Sequence, residues 1–336
     1  MLTLGIDVSK VKLDCALQRT DSTQYLNKRV DNSAAGIVAL LDWLAQRKIA
    51  CGDLCIVMEP TGVYHERAAR ALFDAGCRVW LVNPARVRSY ASAMGVHSKT
   101  DAIDSEVLAR YGASARAELW QPPPPAARKL TALLARREAL CEDIRREENR
   151  FEKATIALDT PSAVLDSIKE GLAFLNKQRR RLDHEIDQHI DADPTLKHND
   201  TLLQSIKGVG PRVAQRMNAL MSAHRFSSAE ALAAYIGLVP IERQSGSSVH
   251  GKARMSNPEK GTRAGPAHVR QLLYLPAVNA KRHNPHVKAI YERMLARGKS
   301  KMAGIGAAMR KLVHLCFGVI HSQRPYDLHY NTTAKT

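Results

Sequence analysis

Aromatic residues are scarce in this 336-residue chain, where three Trp, nine Tyr and five Phe make up 5% of the total. A protein that binds nucleic acid mainly by stacking bases needs more of them, which excludes a stacking platform as the main binding mode. Long apolar runs are also lacking. No stretch approaches ~18 uncharged apolar residues, so we expect no transmembrane helix. The first residues, MLTLGID, lack the basic and apolar regions of a signal peptide.

Paired cysteines and phosphate-binding loops are absent as well. The six cysteines form no C-x-x-C pair, so neither a zinc site nor a disulfide framework is predicted, and a reducing cytoplasm fits. No glycine-rich phosphate loop follows a predicted strand, which argues against a nucleotide-binding fold. Hydrophobic residues nevertheless make up 45% of the chain, enough to bury a core and to exclude disorder over the full length.

Acidic residues are rare in the last part of the chain. Residues 196–336 have 6 of them against 22 lysines and arginines, which places +16 of the total net charge of +17 in this part. Such a block attracts polyanions. The alternatives are a solvated basic surface or affinity for an acidic membrane. Because the charge is spread over loops and several predicted helices rather than on one amphipathic face, nucleic acid is favoured and a membrane is not expected.

Residues 1–120 are predicted to form an α/β domain. Short apolar strands and helices follow each other in the order three strands, helix, strand, helix, strand, helix. This is the order of the ribonuclease-H-like fold, which starts with an antiparallel meander, whereas a doubly wound fold alternates from the start. Asn32 and Ser33 are both candidates for the N-cap of the first helix. Gln-Pro-Pro-Pro-Pro at 121–125 predicts a domain boundary.

Two further domains are predicted after this boundary. Residues 121–195 contain two long charged helices around Asp159-Thr160-Pro161, and the second has an apolar seam with spacings of mostly three and four, formed by Leu165, Ile168, Leu172, Leu175, Leu182 and Ile186. The seam predicts a coiled-coil hairpin that pairs with itself or with another copy, and an ordinary pair of surface helices fits the pattern equally well. Residues 196–336 are predicted to be mostly helical.

Four carboxylates in the first domain are candidates for catalysis. Asp7 lies inside the first strand, Glu59 directly follows the apolar strand Leu54–Met58, and Asp101 and Asp104 lie three residues apart at a predicted helix start. Each alone is better explained as a polar strand end or a helix cap. Together, in this fold order, they provide what two-metal phosphoryl transfer needs, several carboxylates around a pair of divalent ions. We therefore expect a two-Mg²⁺ site, with Mn²⁺ as a possible substitute.

Residues 202–214, LLQSIKGVGPRVA, are typical of a helix-hairpin-helix. Gly208 and Gly210 permit a tight turn. Backbone N–H groups at the start of the next helix can then hold a phosphate, with Lys207 and Arg212 adding charge. A plain helix-turn-helix packing unit is the alternative.

The stretch 243–256, RQSGSSVHGKARMS, combines serines with cations. By composition alone it is a flexible linker. A serine hydroxyl can also attack a phosphodiester where cations or metals stabilise the resulting charge. Arg243, Lys252 and Arg254 are therefore candidates for nucleic-acid contact.

Several motifs occur in an order that resembles a known family. Gly5–Lys10, Met58–Gly62, Val82–Pro84 and Lys99–Asp104 are similar to the Asp-Glu-Asp-Asp insertion-sequence transposases, which have a RuvC-like catalytic domain and include the Piv-type DNA invertases. The resemblance implies that Asp7, Glu59, Asp101 and Asp104 are the metal-binding tetrad. It further implies that Ser245, the first serine of Ser-Gly-Ser-Ser, is the nucleophile that joins to DNA, with Ser247 and Ser248 as the fallback assignments.

The resemblance continues towards the C-terminus and carries functional expectations. RQLLY at 270–274 and AGIGAAMRKL at 303–312 resemble helices of the family, and the second contains Arg310 and Lys311, further candidates for nucleic-acid binding. The implied function is that of a transposase guided by a structured bridge RNA, acting on donor and target DNA as a dimer or tetramer in the bacterial nucleoid. The alternatives are a Piv-like invertase and a RuvC-like structure-selective nuclease, and only the nuclease needs no serine.

Overall fold

The computed structural model describes residues 2–19, 24–96, 100–114, 119–241, 244–245, 249–250, 254–255 and 267–330. The chain forms two compact units, Met1–Pro122 and Pro123–Thr336. The first is mixed α/β and the second mostly helical, which confirms the predicted fold class. The pair of long helices that was expected as a separate domain over 121–195 lies within the second unit, and the boundary at 195 stays a prediction.

The first unit is built on a five-stranded sheet in the order β3-β2-β1-β4-β5. The first three strands form an antiparallel meander, and β4 and β5 run parallel to β1. This is the topology of the ribonuclease-H-like fold that the order of elements predicts. The elements are β1 (Leu2–Val8), β2 (Lys12–Arg19), β3 (Tyr25–Asp31), α1 (Ala34–Ala45), β4 (Leu54–Met58), α2 (His65–Asp74), β5 (Arg78–Leu81), α3 (Pro84–Ala93) and α4 (Asp101–Ser114).

The two faces of β1 have different partners because side chains alternate along a strand. Leu4, Ile6 and Val8 are buried in one core with residues of α1 and α2. Thr3, Gly5 and Asp7 have the opposite parity, and this face is covered by α4. The single charged residue inside this strand, Asp7, therefore lies on the α4 side of the sheet.

A close backbone contact fixes α4 on the sheet. A Cβ at Gly5 would lie 2.0 Å from the carbonyl oxygen of Ser105, and a Cβ at Gly112 would lie 2.7 Å from Cγ2 of Thr3. The helix thus runs antiparallel to β1, and Ser105 faces the later part of the strand. As a consequence, the N-terminus of α4 lies beside the C-terminal end of β1.

The second unit consists of eight helices and four two-residue strands within the described residues. β6 pairs with β9, and β7 pairs with β8, both antiparallel. The elements are α5 (Pro125–Ile156), α6 (Ser162–Ala192), α7 (Pro194–Gln204), α8 (Pro211–Ala223), α9 (Ala229–Ile236), β6 (Pro240–Ile241), β7 (Gln244–Ser245), β8 (Val249–His250), β9 (Arg254–Met255), α10 (Ala267–His283), α11 (Pro285–Ala296) and α12 (Lys301–Ser322).

The helices α5 and α6 form the predicted hairpin by packing against each other. Ile186 and Ile190 of α6 are buried with Leu130 and Leu134 of α5. Further along the seam, Ile168, Leu175 and Leu182 stay half-buried. Pairing within one chain therefore accounts for part of the seam, and association with another copy stays a prediction.

Helix α12 lies at the centre of the second unit's core. Leu312, Val313 and Cys316 are fully buried there, and α12 packs against α7, α9, α10 and α11. In the part of the chain that is described, it is the one helix long and apolar enough to cross a membrane, and half of that span is buried in the protein. Arg310 and Lys311 lie within α12, so the helix contains no uncharged apolar run of ~18 residues, in agreement with the sequence expectation.

The contact at Gly5 predicts a strong effect of one added methyl group. Gly5→Ala should push α4 off the sheet and lower the stability of the protein by about 1–3 kcal/mol, as overpacking does. Gly52→Ala is the control, because a Cβ there would meet nothing within 4 Å. Thermal unfolding of both variants tests this, and a wild-type melting temperature for Gly5→Ala would contradict the packing described.

Candidate active site

Three elements bring the predicted carboxylates to one edge of the sheet. Asp7 is the second-last residue of β1. The parallel pairing of β1 and β4 ends at Ile6 and Met58, so Glu59 is the first residue beyond that ladder. Helix α4 begins at Asp101. The C-terminal ends of two parallel strands and the N-terminus of the helix therefore meet at this edge.

Thr100 is the N-cap of α4, so neither aspartate of the first turn serves as the cap. The N–H of Ile103 donates to Thr100 Oγ1 at 3.3 Å, and the N–H of Asp104 donates to the Thr100 carbonyl at 2.8 Å. The positive end of the helix dipole favours carboxylates in this turn. The simpler explanation of Asp101 or Asp104 as the helix cap is therefore not what the structure shows.

Electrostatic coupling joins three of the four predicted residues. Burial, followed by the negative charges of Asp104, Asp101 and Asp14, raises the pKa of Asp7 to about 6, and Lys12 opposes this. Like charges act in this way when they share one site. Glu59 is half-buried at the same edge and joins the group by its position after β4.

Three residues of this cluster, Asp14, Lys12 and Arg29, were missed by sequence reasoning. Asp14 lies directly opposite Asp7 in the β1–β2 ladder and is 6% exposed. Lys12 Nζ lies 2.6 Å from Asp101 Oδ2 and 3.2 Å from Asp14 Oδ2, and Arg29 Nε lies 2.6 Å from Asp14 Oδ1. The signal that could have found them is the β1–β2 hairpin, because its register places Asp14 beside Asp7.

The donor set fits a divalent cation. Carboxylate oxygens are the ligands that Mg²⁺ prefers, and the negative charges of Asp104, Asp101 and Asp14 add to burial in raising the pKa of Asp7. Among the described residues, no three Asp, Glu, His or Cys side chains already stand close enough to form a metal cluster. The ammonium of Lys12 supplies a positive charge next to Asp101 instead.

The predicted helix-hairpin-helix is formed by α7, a turn and α8. Gly208 has a φ of +104°, a conformation that favours glycine. Gly210 is the N-cap of α8 with an extended backbone that any residue adopts, and its surroundings are open. Lys207 and Arg212 are exposed on either side. Sequence reasoning missed Asn284, which is fully buried and donates from Nδ2 to the Lys207 carbonyl at 3.0 Å.

The serine stretch is described only in part. Ser245 ends β7, and its backbone pairs with Val249 of β8. Arg254 lies in β9. The other candidates of this stretch, Arg243, Ser247, Ser248 and Lys252, lie outside the described residues.

The two cations predicted on α12 are partly covered by the protein itself. Arg310 Nε donates to His314 Nε2 at 3.4 Å. Burial, followed by the charge of Arg293, lowers the pKa of Lys311, which is half-buried. Both are thus less available to phosphates than the exposed Lys207 and Arg212.

Two family models match the chain. A transposase model of the IS110 DEDD type matches residues 4–157. A second model, described as the transposase IS116/IS110/IS902 family, matches residues 200–292. The first covers all four predicted carboxylates, and the second covers both the helix-hairpin-helix at 202–214 and the serine stretch at 243–256.

Relatives match over nearly the full length. The pilin gene-inverting protein of Moraxella bovis is 32% identical over 326 residues, covering 96% of this chain and 97% of that protein. The insertion element IS110 43.6 kDa protein of Streptomyces coelicolor is 24% identical over 398 residues, covering 96% and 95%. Thermus thermophilus RuvC with a Holliday junction covers 36% of this chain and 99% of its own, at 14% identity and a TM-score of 0.27, too low to carry an inference.

The raised pKa of Asp7 predicts that this carboxyl destabilises the metal-free protein. The pKa of this carboxyl is about 6 in the folded state and about 3.9 in the unfolded state. Its ionisation therefore lowers the free energy of unfolding by the full amount above pH 6, and by almost nothing below pH ~4. In EDTA, Asp7→Asn should therefore be more stable than the wild type at pH 8, by roughly 1–2 kcal/mol after allowance for solvent screening.

Urea unfolding at pH 8 and pH 4 measures this difference. The gain should nearly disappear at pH 4, where Asp7 is protonated in the folded state and about half protonated in the unfolded state. Asp42→Asn, an exposed carboxylate on α1 of the same unit, is the matched control. Equal stability of Asp7→Asn and wild type at pH 8 would contradict the clustering of negative charge at Asp7.

Proposed function

This chain belongs to the IS110-type DEDD transposase family, and from that premise we propose that it cuts and rejoins DNA by Mg²⁺-assisted serine attack. Enzymes of this family act in DNA transposition or inversion. The observation that carries the proposal is the convergence of Asp101 and Asp104 on Asp7, at the sheet edge where Glu59 directly follows β4.

The four carboxylates would hold the metal ions. Asp7, Glu59, Asp101 and Asp104 offer oxygen ligands suited to Mg²⁺, for which Mn²⁺ can substitute. When bound, such ions neutralise charge that develops on a phosphate during displacement. Lys12 keeps Asp101 in place through its 2.6 Å contact and shares its other contact with Asp14, so the first turn of α4 is attached to β2.

Ser245 would be the nucleophile. Its Oγ forms a bond to the scissile phosphorus, the bond from phosphorus to the 3′-oxygen breaks, the serine proton is lost, and the departing 3′-oxygen gains a proton. A 3′-hydroxyl of a second DNA then attacks the serine ester and restores Ser245. Arg243, Lys252 and Arg254 would stabilise the charge on the phosphate. Because the ester conserves the energy of the phosphodiester, rejoining needs no ATP.

The second unit would carry the nucleic acid. Its C-terminal part, residues 196–336, holds a net +16. The turn between α7 and α8 exposes Lys207, Arg212 and the N-terminus of α8 to solvent, an arrangement that binds phosphates. Donor and target DNA are the expected partners, and the family resemblance adds a bridge RNA. Since two duplexes are cut and joined, we propose a dimer or tetramer on DNA in the bacterial nucleoid.

A second candidate function is site-specific DNA inversion. The identity of 32% to the pilin gene-inverting protein, against 24% to the IS110 protein, favours it. Both functions use the same strand-transfer chemistry and differ in whether the two sites lie on one DNA molecule. The DNA that flanks the gene distinguishes them, because a short element with an adjoining structured noncoding stretch belongs to a transposon.

A covalent adduct tests the serine mechanism against simple hydrolysis. With labelled DNA and Mg²⁺, the wild type should give a protein–DNA adduct that survives detergent on a denaturing gel. Ser245→Ala should bind DNA normally, because one hydroxyl contributes little to stability, but should form no adduct. Asp7→Ala should also form none, because the metals are needed to activate the phosphate.

The neighbouring serines serve as matched controls. If Ser245→Ala keeps the adduct while Ser247→Ala or Ser248→Ala loses it, the motif stands and the nucleophile is reassigned. If all three variants cleave DNA as the wild type does and the wild type gives no adduct, the covalent mechanism is wrong, and the chain acts as a structure-selective nuclease with water as the nucleophile.

A further inference from the structure

The N-cap of α1 is Ser33, which leaves the side chain of Asn32 for another task. Ser33 Oγ accepts from the N–H of Gly36 at 3.1 Å. Asn32 Nδ2 instead donates to the carbonyl of Ser9 at 2.8 Å and to the carbonyl of Tyr64 at 3.0 Å. One amide group thus joins two segments that are 55 residues apart in sequence, as the numbers of Ser9 and Tyr64 show.

The backbone of Asn32 adds to this connection. Its N–H donates to the carbonyl of Val11 at 2.7 Å. Its carbonyl accepts from Nη1 of Arg67, on α2, at 3.3 Å. Asn32 therefore contacts the β1–β2 turn, the end of the loop after β4 and the following helix.

These contacts lie where the sheet no longer holds its strands together. The β1–β4 ladder ends at the pair Ile6–Met58, and beyond it Asp7 pairs only with β2. Glu59 is thus the first residue outside the ladder, at the start of the loop that leads to α2. Asn32 attaches this loop to the β1 side of the sheet at Tyr64.

The loop between Glu59 and Tyr64 is compact, so that an attachment at one end affects the other. Thr61 Oγ1 donates to the Glu59 carbonyl at 3.5 Å, and the N–H of Tyr64 donates to the Thr61 carbonyl at 3.0 Å. Gly62 turns the chain with a φ of +52°. A short chain of hydrogen bonds therefore runs from Asn32 to the backbone of Glu59.

We propose that Asn32 is a positioning residue for the carboxylate site, which holds the loop carrying Glu59 at a set distance from the turn that follows Asp7. It acts through backbone carbonyls and not on the reacting groups. This inference rests on the proposed metal-dependent function. Residues that orient metal ligands typically change metal affinity by about 10–100-fold when they are removed.

Mn²⁺ binding to the full-length, DNA-free protein tests this role by calorimetry. Asn32→Ala should weaken Mn²⁺ binding about tenfold. Hydrogen exchange in the peptide that spans 59–65 should become faster, because its attachment is lost. Ser33→Ala is the matched control. It removes the cap of the same helix at the adjacent position, so it should lower the melting temperature but leave Mn²⁺ affinity and exchange in 59–65 unchanged.

Two results would overturn the proposal. One is wild-type Mn²⁺ affinity and exchange in Asn32→Ala, and the other is an equal loss of Mn²⁺ affinity in Ser33→Ala, which would reduce the effect to damage at the start of α1. Should Asn32→Ala fail to fold, Asn32→Ser retains one donor and should show a smaller loss in the same direction. Wild-type affinity in that variant would contradict the role equally.

Asp7→Ala separates this proposal from the proposed function. If Asp7→Ala binds Mn²⁺ as the wild type does, the carboxylate site is misassigned, and the role of Asn32 falls with it. If Asp7→Ala loses Mn²⁺ while Asn32→Ala keeps wild-type affinity, the metal site stands and only the positioning role is wrong.

Discussion

The contact between the backbone of α4 and Gly5 is the constraint on which the carboxylate site depends. Only a residue without a side chain lets the Ser105 carbonyl approach β1 this closely. The contact sets both the height and the direction of α4 on the sheet, so its first turn comes to the end of β1. The position of Asp101 and Asp104 beside Asp7 follows from backbone packing and not from attraction between the carboxylates, which repel one another.

That repulsion has to be balanced by other parts of the first unit. Lys12 and Arg29 both form ion pairs with Asp14, and Lys12 also forms one with Asp101. The N-terminus of α4 adds the positive end of its helix dipole. Burial, followed by the repulsion from Asp104, Asp101 and Asp14, nevertheless raises the pKa of Asp7 to about 6. Under the proposed function, this loss of stability is a compromise typical of active sites.

Much of this arrangement follows from local patterns in the sequence. The alternation in Leu2–Val8, the apolar run Leu54–Met58 and the turn signals predict the strands and helices of the first unit, and their order predicts the topology. Asp14 could not be recognised in the same way, because an isolated aspartate in a strand is typical of a solvent-facing position, and its burial depends on the register with β1. The sequence likewise does not show that Ser33 rather than Asn32 caps α1, because the contacts of Asn32 are with distant residues, Ser9 and Tyr64.

Anomalous diffraction from crystals grown with Mn²⁺ shows whether the four carboxylates at this sheet edge hold divalent metal. We expect anomalous peaks bounded by Asp7, Glu59, Asp101 and Asp104, with oxygen atoms at about 2.0–2.1 Å, the distance of a small, hard divalent cation from its ligands. Mn²⁺ bound elsewhere, with Lys12 still in contact with Asp101 and no peak at this edge, would rule out a metal site formed by these residues.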